Sequence, residues 1–176
     1  MAHSLDFHEY DSAWPARFEQ ARTEFKSVLP KGSVIEHVGS TAVPGLAAKD
    51  CIDILIVVNR DQLDEAVRCL SMLGLEHRPE SFATDPSRRF LRRIENGHRT
   101  QHVHLLAEGH PQIREYLAFR DLLRGDPARR QDYATVKREL ARLHANDRAA
   151  YMAGKDELVR RLLRLALDQY ALRDRS

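Results

Sequence analysis

The stretch Glu36-His37-Val38-Gly39-Ser40-Thr41-Ala42-Val43-Pro44-Gly45-Leu46-Ala47-Ala48-Lys49-Asp50-Cys51-Ile52-Asp53-Ile54-Leu55-Ile56-Val57-Val58 reads as a strand, a Gly-Ser turn, a Gly/Pro loop and a second strand. The first strand is Val34 to Val38. The second, Ile52 to Val58, is almost continuously apolar and rich in β-branched residues, the pattern of a central strand covered on both faces. Asp53 is its one charge. A carboxylate in so apolar a run is costly unless paired, so it reads either as part of a site or as a hydrogen-bonded structural group. A Gly-Ser turn lets backbone approach phosphate oxygens closely, and a strand-borne carboxylate can hold a metal ion.

Working outward toward the N-terminus, Asp11-Ser12-Ala13-Trp14-Pro15 opens a helix, with Asp11 or Ser12 able to cap it and Pro15 suited to a first turn. Phe18, Ala21, Phe25 and Val28 follow at helical spacing, and Pro30-Lys31-Gly32 ends the helix. Beyond the central strand, Asp61 to Leu73 reads as a helix with Leu63, Val67 and Leu70 inward and Gly74 as its stop. Arg88 to Ile94 and Thr100 to Leu106 are strands joined by Glu95-Asn96-Gly97-His98, since Asn-Gly is a strong hairpin signal. Ser81 to Ser87 reads as a mobile loop before them, a candidate lid.

The C-terminal third is helical. His110-Pro111 opens one helix. Asp126-Pro127 opens a second, with Tyr133, Val136, Leu140 and Leu143 as its apolar stripe. Asn146-Asp147 opens a third, with Tyr151, Leu158, Leu162 and Leu165 on one stripe. The pattern is α+β: a small mixed sheet with packed helices and a helical C-terminal part, read as a single domain over residues 1–176.

Composition narrows the function classes. A net charge of +2 is too near neutral to argue for nucleic acid, which is therefore not an expected partner. No apolar run approaches the roughly 20 residues that span a membrane. Met1 to Glu9 lacks an apolar signal core. Cys51 and Cys69 fall in apolar runs and read as reduced core residues, so the expected location is cytoplasmic.

Three constellations could carry chemistry. In polymerase-β-like nucleotidyltransferases a Gly-Ser is followed by two carboxylates two residues apart on a strand. That spacing points both to one face, where they hold the metals that bridge nucleotide phosphates. Here Asp53 fits the second place, and the first is Cys51. With Asp53 in the first place the second is Leu55, so no register supplies the pair. The second constellation is His102-Val103-His104, whose imidazoles share a strand face. Together with Asp53, and with His37 before the Gly-Ser turn, they make a conceivable metal or phosphate site. A lone His-x-His is as often a polar exposed face. The third is a set of cations, Lys49, Arg89, Arg92, Arg120, Lys137 and Lys155, any one of which is ordinarily solvated but which, converging, would bind phosphate. Lys137 and Lys155 each follow a tyrosine, Tyr133 and Tyr151, by four residues and so share its helix face.

The chain resembles the GrpB family from about Tyr10 to Tyr170. The matching blocks are Tyr10-Asp11-Ser12-Ala13-Trp14-Pro15, the His37 to Asp53 motif, Arg89-Phe90-Leu91-Arg92, His102-Val103-His104, Phe119-Arg120-Asp121-Leu122-Leu123-Arg124, Tyr133-Ala134-Thr135-Val136-Lys137 and Tyr151-Met152-Ala153-Gly154-Lys155. The resemblance implies a nucleotidyltransferase-like fold. Family members often carry Pro where this chain has Asp50, which makes Asp50 a poor candidate ligand. A similar domain is fused to some bacterial dephospho-CoA kinases, but this sequence has no Walker A motif and does not read as that kinase.

The expectation is a protein that binds a nucleotide or another phosphorylated small molecule against Gly39 and Ser40. Asp53 would hold Mg²⁺ or another divalent metal, with His37, His102 and His104 completing the floor. Lys49, Arg92, Arg120, Lys137 and Lys155 would neutralise phosphate. If the protein is an enzyme, the reaction class is nucleotidyl transfer with Asp53 catalytic, an inference by analogy of fold. The alternatives are a non-catalytic binding module, favoured by the missing carboxylate, and a folding module linked to coenzyme A metabolism.

Overall fold

The structure is a computed structural model that describes residues 8–145 and 147–173. Its centre is a five-stranded mixed sheet in the order β1-β2-β5-β4-β3, with β1 Val34–Val38, β2 Ile52–Val58, β3 Glu76–His77, β4 Arg88–Glu95 and β5 His98–Ala107. β2 runs antiparallel to β1 and parallel to β5, and β4 is antiparallel to β5 and β3. The two strands of the opening stretch have the bounds its apolar pattern indicates. The Asn-Gly hairpin is also present: Asn96 and Gly97 both have positive φ, 51° and 79°, as a tight right-twisted turn demands. The two-residue edge strand β3 is too short to leave a sequence pattern.

Strand register sorts the side chains. His37, Ile54, Val103, Leu91 and His77 lie on one face, because Ile54 is paired with His37 and Val103, and Leu91 with Val103 and His77. Helices α1 Trp14–Val28 and α2 Leu63–Met72 cover this face, burying Trp14, Phe18, Ala21, Phe25, Leu63, Ala66 and Leu70 against Ile52, Ile54, Ile56, Leu91 and Val103. At the start of α1 the Asp11 carboxylate accepts from the Ala13 N–H.

The opposite face carries Val38, Asp53, His102, Arg92 and Glu76 in one row across all five strands. Leu55, Leu106 and Val38 on this face meet α3 Pro111–Gly125 through Ile113, Tyr116 and Leu117. Helices α4 Pro127–Leu143 and α5 Arg148–Arg173 pack outside α3. They enclose Val43 and Leu46 of the Gly/Pro loop in a further apolar cluster.

Several expectations are corrected. Leu143 is 63% exposed, because the inward positions of α4 are Tyr133, Ala134 and Lys137. On α5, Ala166 rather than Leu165 continues the buried stripe of Tyr151, Leu158 and Leu162. Asp147 caps α5 by accepting from the Ala150 N–H, while Asn146 lies outside the described residues. So do Met1 to Phe7 of the segment read for export. Cys51 and Cys69 are free but only half-buried. Ser81 to Ser87 is a 3₁₀ turn followed by a turn tied down by Asp85, which accepts from the Ser87 N–H and hydroxyl and pairs with His110 at 2.9 Å. Those bonds tie the segment to the start of α3. No helix among the described residues is long and apolar enough to cross a membrane.

Candidate functional site

Gly39 and Asp53 are locked together. Gly39 has φ +73°, and a Cβ built on it would lie 2.4 Å from Asp53 Oδ2. Only glycine lets the turn pass so close to the carboxylate. Asp53 Oδ1 lies 3.2 Å from His102 Nδ1, and since a carboxylate is acceptor-only, that nitrogen carries the proton. His104 Nε2 faces the same oxygen from 4.0 Å. Its other nitrogen meets the Tyr116 hydroxyl at 3.1 Å, and Arg88 donates to that hydroxyl at 3.0 Å. The Tyr116 hydroxyl thus links His104 to Arg88. Burial holds His104 neutral by lowering its pKa to about 4. Burial works to raise the Asp53 pKa, and is outweighed by the hydrogen bond from His102 and by electrostatic attraction from the His102, His104 and Lys155 side chains, so Asp53 stays ionised.

Beside this cluster lies a second one, built by α4. Lys137 Nζ donates to Ser40 Oγ at 3.0 Å and to the Ala47 carbonyl at 3.1 Å. Lys137 is 4% exposed. Its pKa falls to about 7, chiefly through burial, with Lys155, Lys49 and Arg138 adding repulsion that Asp53 only partly offsets. Tyr133, one turn earlier, is also hydrogen-bonded to Ser40, and burial pushes its hydroxyl up to about 12. Ser40 itself is half-buried and opens the short 3₁₀ turn Ser40–Ala42. Lys155 of α5 acts electrostatically on both Lys137 and Asp53. Lys49 Nζ sits 6.0 Å from the Tyr151 ring centroid.

The structure thus brings together Gly39, Ser40, Asp53, His102, His104, Lys137 and Lys155, with Lys49 nearby. Others it places elsewhere. His37 is on the opposite face of the sheet from Asp53, one residue out of phase. It stacks on Phe18 with ring centroids 4.7 Å apart, meets Thr41 Oγ1 at 3.0 Å, and is kept neutral by burial, its pKa near 4. Arg120 is engaged by two carboxylates, Glu36 and Asp121, each at 2.7 Å, and also donates to the His37 carbonyl. It pins α3 to edge strand β1 and is not placed to take up phosphate. Arg92 shares the row of His102 but pairs with Glu76 at 2.8 Å. Arg89 pairs with Asp64 over the other face. Asp50 accepts from Trp14 Nε1 and Arg17, which makes it an anchor of the loop to α1.

The donor set does not fit a two-metal centre. Cys51 occupies the place of the partner carboxylate, and its thiol is pushed up by burial. Among the described residues no three His, Cys, Asp or Glu side chains are grouped to hold a metal ion. Sequence reasoning missed Tyr116 with Arg88, and the link from Tyr133 to Ser40. The Tyr133–Lys137 spacing marked the right helix face, but nothing local ties α4 to a turn 97 residues earlier.

Comparison with known proteins agrees with this architecture. The chain is 34% identical over 156 residues to the UPF0157 protein YqkA of Bacillus subtilis, covering 86% of this chain and 44% of that one. It is 41% identical over 160 residues to a UPF0157 protein of Pseudomonas aeruginosa, covering 89% and 65%. The chain therefore spans about half to two thirds of the length of these two relatives. A dephospho-CoA kinase of Mycolicibacterium paratuberculosis matches at 32% identity, over 90% of this chain and 45% of that protein. The crystal structure of conserved protein GrpB from Enterococcus faecalis superposes with a TM-score of 0.84 at 34% identity, covering 94% of this chain and 99% of that one. The Cid1 poly(U) polymerase superposes with a TM-score of 0.52 at 12% identity, over 77% of this chain and 43% of that one, a likeness of fold alone. The fold is accordingly nucleotidyltransferase-like. A family model described as GrpB protein matches residues 4–165, and the chain belongs to the GrpB family.

Proposed function

We propose that this protein binds a nucleotide or another phosphorylated small molecule at the Gly39–Ser40 turn, with Lys137, Lys155 and Lys49 facing the phosphate. The observation that carries this reading is Lys137. A lysine this buried, on a serine hydroxyl and among further cations, is costly to keep charged. An anionic ligand here adds to the partial offset that Asp53 provides. The Asp53–His102–His104 cluster forms the adjoining wall, and Asp53 acts as a hydrogen-bond acceptor rather than as one of a metal-holding pair.

The test is a thermal-shift and calorimetric titration with nucleoside triphosphates, coenzyme A precursors and a short oligouridylate, each with Mg²⁺ or with EDTA. The expected result is a shift with one phosphorylated small molecule that persists in EDTA and is lost in Lys155→Met. The oligouridylate is included because near-neutral charge is a weak ground for excluding nucleic acid from a fold shared with a poly(U) polymerase. Coenzyme A precursors are included because the matched region makes up 45% of a dephospho-CoA kinase, which favours a module working beside that enzyme as the second reading.

A further inference from the structure

We propose that Ser40 is a nucleophile activated by Lys137, and that the pocket can carry a phosphoryl or nucleotidyl group covalently on Ser40 Oγ. The inference rests on the phosphate-binding reading of the same pocket, and adds a chemical step to it.

Four features of the geometry support the step. Ser40 Oγ and Lys137 Nζ are 3.0 Å apart, within proton-transfer reach. The lysine is buried while the serine is half-exposed, so an electrophile can reach the hydroxyl while its base stays shielded from water. The Ala47 carbonyl and Tyr133 restrain the pair: the carbonyl holds Nζ and the phenol holds the serine. Lys155 and Lys49 supply positive charge that favours a phosphorus electrophile over a neutral acyl group. A serine hydroxyl is a weak nucleophile until an adjacent base takes its proton, and Ser-Lys pairs are one known solution. Burial among cations keeps a fraction of Lys137 neutral near pH 7, as a base must be. In the step, Ser40 Oγ attacks the phosphorus of a phosphate ester or anhydride, the Oγ–P bond forms and the bond to the leaving oxygen breaks. The serine proton passes to Lys137 Nζ and from there to the leaving oxygen.

The experiment uses the full chain and two probes, diisopropyl fluorophosphate and the four nucleoside triphosphates, read by intact mass and peptide mapping. Expected is one adduct on Ser40 with the fluorophosphate, absent in Ser40→Ala, whose rate rises with pH through about 7. Lys137→Arg keeps the charge and removes the base, so it should slow labelling at least ten-fold. Lys137→Met should lose labelling and triphosphate binding together. A phosphoryl or nucleotidyl adduct with one triphosphate would name the transferred group. No adduct on Ser40 with either probe, or equal labelling of wild type and Lys137→Arg, would overturn the nucleophile assignment. Retained triphosphate binding in the same samples would leave the binding reading standing, and its loss would remove both.

Discussion

At the scale of single residues, two positions show how closely the site is fitted. Gly39 meets two demands at once, a φ of +73° and an approach to Asp53 that no Cβ can share. Gly39→Ala should therefore cost about 2 kcal/mol or more in urea unfolding, from backbone strain plus displacement of Asp53. It should also weaken phosphate binding, whereas an alanine at Gly45, where nothing among the described residues lies within 4 Å, meets only the strain of its φ of +77°. His37 tests its placement on the far face. Its folded pKa of about 4 lies below the ordinary 6.5, so between those values the unfolded chain takes up a proton that the folded protein refuses. Its contribution to stability is therefore full above pH 6.5 and is lost as pH falls toward 4, up to about 3 kcal/mol at 1.36 kcal/mol per unit. His104 titrates over the same window, so His37→Phe should flatten the fall without abolishing it. At pH 7 the variant should lose about 1 kcal/mol, because buried Thr41 loses its partner. Chemical denaturation from pH 4.5 to 7.5 measures both effects, and an unchanged slope would place His37 in contact with water.

At the scale of elements, the four longer strands were legible because their signals are local. The apolar run of β2, the Asn-Gly turn and the Pro-headed helices each announce themselves within a few residues. Helix faces were less legible. The α4 stripe put Leu143 inward because periodicity sees only hydrophobicity, whereas the helix spends an inward position on Lys137 to reach Ser40. The face of β1 also escaped the reading. His37 just precedes the Gly-Ser turn and Asp53 lies on the strand after the Gly/Pro loop, yet the β1–β2 register pairs Val38, not His37, with Asp53. A one-residue offset sends a strand side chain to the other side of the sheet. The element that matters most for the site is α4, which is held at its start by Asp126 accepting from the Arg129 N–H. Asp126→Ala should cost about 1 kcal/mol, the usual worth of an N-cap. Leu143→Ala, at the exposed far end of the same helix, should stay within about 0.5 kcal/mol. Thermal melts of the two variants separate a helix held by its cap from one held by the apolar stripe that the sequence suggests.

At the scale of the whole molecule, the sheet supplies the acceptor cluster of Asp53, His102 and His104, and the C-terminal helices supply the cations. The site exists only where α4 and α5 close over the Gly/Pro loop. That closure, through Val43, Leu46, Tyr133 and Leu158, drags Lys137 out of water at a cost to folding. The sign of this cost gives the last prediction. The folded pKa of Lys137, about 7, lies below the ordinary 10.5, so between these values the unfolded chain holds a proton that the folded protein has released. Stability attributable to Lys137 should therefore rise as pH rises from 7 toward 10.5, and be least below pH 7, where the buried ammonium is kept in both states. Phosphate binding should run the other way, since the ligand needs that ammonium, and should weaken as pH climbs through 7. Lys137→Met should remove this rise in stability with pH and abolish binding, while Lys137→Arg, charged throughout, should bind with no decline between pH 7 and 9. Guanidinium unfolding and calorimetric titration over pH 6.5 to 9.5 on the three proteins measure both curves. Parallel rather than opposed trends in wild type would mean that Lys137 is a structural lysine whose charge the ligand does not use.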